Sequence, residues 1–222
     1  MRRVRRRAGD TVSDHSTRAS WSEIVATALL AFAAVATTWS SYQAMRWNGE
    51  QAKTASRVTA TRIDAATASG RANFETMVDV TTFTQWIDAF ASGDEELTAF
   101  YFDRFRPEFR PAVDAWIATK PRTNPDAPKT PFAMPEYRVA SREEAARLDA
   151  QAETLSAQVR TDIQRASNYV LGVVLFAVAL FFAGMSTKLT APRLRKLTLV
   201  VGCAVFLGTL VWIATFPVSL SI

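Results

Sequence analysis

Two side chains that carry much enzyme chemistry are almost missing from this 222-residue chain, which holds one cysteine and one histidine. Cys203 lies inside an apolar run, so one chain can build neither a disulfide framework nor a cysteine-rich metal site. His15 sits in a polar N-terminal arm with only Asp14 beside it, the setting of a solvated loop residue rather than a ligand. The sequence has no glycine-rich phosphate loop and no nucleophile with a plausible base. Its densest acidic group, Asp94-Glu95-Glu96, reads as a helix start, where carboxylates complement the positive end of the helix dipole. The apolar runs over 24–39, 169–185 and 197–216 contain no Asp, Glu, Lys or Arg, the residues by which proton- or ion-coupled transporters are usually recognised, and Glu23 sits at the mouth of the first, close to water. These gaps argue against an enzyme and give an expectation of no cofactor, no metal site and no catalytic residue.

What the chain does have is membrane-length hydrophobicity. Tyr169–Met185 and Leu197–Phe216 are runs free of ionisable side chains apart from Tyr169 and Cys203, separated by a basic connector over 186–196. At about 1.5 Å rise per residue each comes near the roughly 30 Å of a bilayer's hydrocarbon layer. A third span covers 21–42, alanine-rich, with Trp21 at one end and Trp39 and Tyr42 at the other. The two tryptophans are about 27 Å apart along a helix, as aromatic anchors at two interfaces would be. No small-x-small cleavage site followed by a polar mature start ends this run, so it reads as an uncleaved anchor. The overall mean hydropathy of +0.02 averages these spans with very polar segments.

Charge follows the same division. Residues 1–20 hold six arginines against Asp10 and Asp14, the connector holds Lys188, Arg193, Arg195 and Lys196, and residues 43–168 hold 16 basic against 18 acidic side chains. With three spans both basic segments fall on one side, the positive-inside pattern. The expected plan is therefore a disordered basic cytoplasmic arm (1–20), span one (21–42), an extracytoplasmic region (43–168), span two (169–185), a cytoplasmic loop (186–196), span three (197–216) and a short extracytoplasmic tail (217–222). Contact of the arginines with anionic lipid is favoured over nucleic-acid binding.

The region between spans one and two reads as helical. Residues 44–70 are polar and free of proline. Over 141–168, Leu148, Ala152, Leu155, Val159, Ile163 and Ala166 recur at three- and four-residue steps. The two segments match in length, predicting an antiparallel two-helix stalk in which Ala52, Ala55 and Ala66 permit close packing. Between them, residues 71–140 hold eight of the fourteen phenylalanines, enough for the core of a small helical head. Phe74, Met77, Val78, Thr81, Ile87 and Phe90 give one helix ending at Gly93-Asp94, Leu97, Phe100, Tyr101 and Phe105 a second, and Pro111–Thr119 a third. Prolines 121, 125, 128, 131 and 135 make 120–135 an extended strap. The fold class expected is an all-α membrane protein: three transmembrane helices, with stalk and head inserted between the first two.

Two proline segments stand out. Phe105-Arg-Pro-Glu-Phe-Arg-Pro111 repeats Phe-Arg-Pro at a four-residue step, and Pro131-Phe-Ala-Met-Pro-Glu-Tyr-Arg138 alternates anchors with prolines. Either their rings plug the head core while Arg and Glu pair at its rim, or the rigid segments present a docking surface made by Phe105, Arg106, Phe109, Arg110, Phe132, Met134, Glu136, Tyr137 and Arg138. In span one Ala33, Thr37 and Ser41 recur at four-residue steps, a face for close helix packing or for lining a pore. Together with Trp39-Ser-Ser-Tyr-Gln-Ala44 and Asn48-Gly-Glu-Gln-Ala52, the two proline segments resemble those of a group of uncharacterised bacterial membrane proteins of the same three-span plan. The resemblance implies a bacterial inner membrane and brings no activity with it.

The sequence thus points to a non-enzymatic inner-membrane protein, an oligomeric scaffold or a subunit of a membrane complex that uses its helical ectodomain for protein interaction. Its expected partners are the lipid bilayer and a second copy or another membrane protein, not nucleic acid. A homo-oligomeric channel lined by span one is the alternative, and an enzyme or sensor with an apolar pocket in the head is a third reading.

Overall fold

The computed structural model describes residues 21–219. The basic arm with His15 and the end of the tail, 220–222, lie outside the described residues. Those described form five α-helices and no strand: α1 Trp21–Ser92, α2 Glu95–Phe102, α3 Arg110–Ala118, α4 Ala140–Lys188 and α5 Pro192–Ala214, with one 3-10 turn at Pro131–Ala133. Helices α1, α4 and α5 are each long and apolar enough to cross a membrane.

Length is the first surprise. Helix α1 passes without a break through Gly70, where the sequence reading ended one helix and began another. Nothing within 4 Å crowds Gly70, and a lone helical glycine costs only about 1 kcal/mol against alanine. With no proline before Pro107, nothing else interrupts the hydrogen-bond ladder until Gly93, whose φ of +76° ends the helix. Asp94 then caps α2, its Oδ1 accepting from the Leu97 N–H at 2.9 Å.

The chain divides into two compact units, one holding the chain up to Asn48 and from Ile163 onward, the other Gly49–Asp162. In the first, α1, α4 and α5 pack large side chains against alanines: Leu29 and Leu199 with Ala26 and Ala183 in one cluster, Trp47, Tyr169, Phe176 and Ile213 with Ala44 and Ala166 in another. A methyl group added at Gly202 would lie 3.2 Å from Phe182 Cβ and 3.4 Å from the Ala179 carbonyl, and one at Gly172 would strike the Ile213 side chain. These two glycines therefore set how closely α5 approaches α4. The outward side chains Phe32, Val35, Phe181, Val200 and Val211 are 62–69% exposed, an apolar surface that matches hydrocarbon rather than water. Hydroxyls in this unit turn back to their own helix, Thr37 to Ala33 O, Thr209 to Val205 O and Ser186 to Ala183 O.

In the second unit α1 and α4 run antiparallel. Arg62 Nη2 donates to Ser156 Oγ at 3.4 Å, and farther along α1 the partners step back along α4: Ser141 Oγ donates to Glu75 Oε1 at 3.0 Å and Arg142 Nη2 to Thr76 Oγ1 at 3.1 Å. Inward positions recur every seven residues on α1: Val58, Ala65 and Ala72 lie along the stretch paired with Ala145, Leu148, Ala152, Leu155 and Val159 of α4, and Asp79 and Trp86 continue the row past the start of α4. The alanines closing the contact are Ala65, Ala68 and Ala72, whereas Ala52 and Ala66 are exposed. On α4 the step after Val159 is three residues, not four, so buried Asp162 takes the inward place expected of Ile163, which is 46% exposed.

Candidate functional site

The aromatic residues of the second unit gather into one cluster. Phe83, Trp86, Phe105, Phe109, Ala112, Val113 and Trp116 form its buried part, with Tyr101, Phe102, Phe132, Met134 and Tyr137 packed against it. Phe109 is its centre, stacked on Phe132 at 5.1 Å between centroids and edge-on to Phe105 and Tyr137. The proline strap is pinned over it, since Trp116 Nε1 donates to Pro128 O at 2.6 Å and Pro131 is buried.

A salt bridge lies beside the cluster. Arg106 grips the wholly buried Asp79 with two donors, Nε to Oδ1 at 2.9 Å and Nη2 to Oδ2 at 3.3 Å. The Tyr137 hydroxyl donates to the same Oδ2 at 3.2 Å, and Glu75 and Glu108 approach Arg106 Nη1 at 3.6 and 3.7 Å. The hydrogen bond to Asp79 raises the Arg106 pKa above its ordinary value against the opposing effect of burial. Burial first, and the Asp79 charge after it, push the Tyr137 phenol up. In the second Phe-Arg-Pro, Arg110 Nη2 donates to Phe102 O at 3.0 Å while its guanidinium lies 5.1 Å over the Phe102 ring. Each repeat thus puts a phenylalanine into the cluster and an arginine across its edge.

This placement redraws the surface expected from sequence. Phe105 and Phe109 are buried; Arg106, Arg110, Phe132, Met134 and Tyr137 are half-buried and engaged with the cluster; Glu136 and Arg138 are exposed. In span one Ala33 is buried and Thr37 half-buried, but Ser41 faces outward and Ser40 takes the inward place. Inward positions recur at seven rather than four residues: Ala26, Ala33, Ser40 and Trp47.

No known family model, curated protein or solved structure matches the chain. Geometry alone carries the functional argument.

The residues that sequence reasoning misplaced are the informative ones. Phe74 and Met77, expected in the core, are each 66% exposed, and Ile63 is 61% exposed. At 100° per residue the three share one face of α1, opposite Ala65, Ala72 and Asp79. Among described residues of the second unit, no other helix covers that face. Its signal in the sequence was Ile63 itself, an isolated large aliphatic in a polar alanine- and threonine-rich stretch.

Proposed function

We propose that the chain is a non-enzymatic integral protein of the bacterial inner membrane, a scaffold or complex subunit that associates with a second copy of itself through the outward face of α1 at Ile63, Phe74 and Met77. In this reading residues 1–20 and 186–196 are cytoplasmic, 43–168 stand outside the cytoplasm as stalk and head, and the tail after 216 is extracytoplasmic. The observation that carries it is an apolar helix face, turned outward in the unit that holds the mixed charges and therefore belongs in water. Large apolar side chains lined up on one exposed face mark an interaction site. A second copy is the favoured occupant because copies anchored in one membrane share orientation, which sets the same three residues at the same height. Arg195 supports the topology: it donates to Ser22 Oγ and lies 3.5 Å from Glu23, so the connector and the start of α1 share one end of the bundle.

Mass measurement of the protein purified in mild detergent tests the association. Wild type is expected as an oligomer, and Phe74→Glu with Met77→Glu, both on exposed positions, is expected to reduce it to a folded monomer. A monodisperse wild-type monomer with no co-purifying chain would sink the proposal, and conductance in planar bilayers altered by Thr37→Leu would replace it with the pore. For topology, Ser92→Cys and Thr187→Cys in a Cys203→Ala background should react with an impermeant thiol reagent from opposite sides.

A further inference from the structure

Beside the aromatic cluster, on the side of α1 and α3 toward the strap, lies a half-open recess of about 510 Å³. That volume is in the range of small-molecule sites. Its walls are the faces of Trp86 and Phe90, stacked at 5.5 Å and 13°, with Trp116 and Ile117 opposite; Lys120 and Arg122 stand on the loop that closes one end. No acidic side chain lines it.

Its polar groups are of one kind. Trp86 Nε1 is buried and donates to nothing, a donor left over inside an apolar wall. The hydroxyl of Thr123 is spent on Lys120 O and the indole N–H of Trp116 on Pro128 O. Arg122 holds its guanidinium 5.7 Å from the Phe90 ring, and neither it nor Lys120 makes an ion pair among the described residues. The recess therefore presents two cations at its mouth with no carboxylate among the described residues to meet them.

Lys120 adds an independent observation. It is the one described non-glycine residue with positive φ, 52°, at the position after the α3 C-cap where glycine is the unstrained choice. The backbone is held there by Lys120 N–H to Ile117 O at 2.9 Å and by the Thr123 and Asn124 N–H groups, each 3.0 Å from Lys120 O. Strain kept at a pocket mouth by a residue whose side chain is an ammonium argues for a use of that ammonium.

We propose that this recess binds a small amphipathic monocarboxylate, its apolar body against Trp86, Phe90 and Trp116 and its carboxylate between Lys120 and Arg122. Aromatic and acyl acids share this chemistry, and both serve as probes. The full chain in phosphatidylcholine nanodiscs is titrated calorimetrically with naphthalene-2-carboxylate and with octanoate, against naphthalene-2-carboxamide and empty discs. At least one acid should bind saturably below about 1 mM and at least about tenfold tighter than the amide, the reverse of their order of partition into lipid. The acid that binds identifies the body as ring or chain. Lys120→Gly should weaken binding about tenfold without lowering the melting temperature, because glycine relieves the backbone there. Ala91→Trp, at an exposed position of α1 that lines the recess, should abolish binding with the fold intact. Equal affinity for acid and amide, binding that survives Ala91→Trp, a Lys120→Gly variant that binds like wild type, or no saturable binding of either acid would each overturn the proposal.

Discussion

The two units are built on the same two helices, yet they differ in where their polar atoms point. Along α1 the inward positions keep one seven-residue step from Ala26 through Ala33, Ser40, Trp47, Thr54 and Ala68 to Ala89. That seam does not announce where one unit gives way to the other. The outward face does: Phe32 and Val35 in the first unit, Arg57, Arg62, Asp64 and Arg71 in the second. The buried polar groups differ too. In the first unit the Thr37, Thr209 and Ser186 hydroxyls fall back on their own helices and Gln43 and Tyr169 meet backbone groups, whereas in the second Asp79 is held by side chains from elsewhere in the chain. The inward seam specifies helix pairing, and the outward face specifies solvent.

The sharpest way to break this contrast is at Asp79. Replacing it by Ala leaves Arg106 and Tyr137 facing an empty site, and loss of one partner of such a pair costs about 3–5 kcal/mol. The second unit should lose protease resistance while the helical signal of the first persists in the membrane. A uniform loss across both units would mean that they fold as one.

Next in size is Leu155→Asp, which sets a carboxylate against the alanines of α1 and should cost about 2–3 kcal/mol in the same readout. Gln158 is a poor control, since its Nε2 donates to Asp162 at 2.9 Å. Thr154 is exposed and bonds only its own helix, so Thr154→Ala should stay within about 0.5 kcal/mol. Equal effects would mean that the inward face of α4 is misphased.

Smaller again is an alkaline effect. Because the folded Tyr137 phenol keeps its proton after the unfolded one, with its ordinary pKa of 10.0, has lost it, stability is flat below that value and falls above it. Tyr137→Phe should remove that part of the fall, as read by thermal melts between neutral and alkaline pH. At the bottom of the scale is Ser40→Ala. The buried Ser40 hydroxyl has no hydrogen-bond partner, so its removal should leave the melting temperature of the detergent-solubilised protein unchanged or slightly raised. A loss as large as that of Asp79→Ala would erase the distinction between the units.

How far the sequence could be read follows from the same physics. The apolar spans were legible because large apolar side chains such as Phe32, Val35, Phe181, Val200 and Val211 stay on their outward faces, and the Gly93-Asp94 stop and the proline strap because their backbone limits are local. The phase of α1 over 71–90 was not. Hydrophobicity selects the face of Phe74 and Met77, but the face that folds inward carries Asp79 with Phe83 and Trp86. Only the partner at Arg106, 27 positions along the chain, makes a carboxylate acceptable there. Asp162 was hidden because hydrophobicity selects Ile163, whereas the buried carboxylate, met by Gln158 one turn back, shifts the α4 seam by one residue. The recess was illegible for another reason, because its two walls come from α1 and α3 and its cations from the loop after α3, and no spacing in the sequence links them.

Two hydrogen bonds at one end of the first unit bear on how the molecule is made. The Ser219 N–H donates to Gln43 Oε1 at 3.1 Å, and the Tyr169 hydroxyl to Pro217 O at 3.2 Å. Gln43 leaves the ribosome some 170 residues before the segment that satisfies it, and Tyr169 some 50 before. Until α5 has been synthesised and threaded into the lipid, both earlier helices wait with a polar group uncovered. The segment Pro217–Ser219 therefore closes the Gln43 carbonyl and the Tyr169 hydroxyl only after the whole of α5 is in place, which makes its docking a late event in assembly of the bundle.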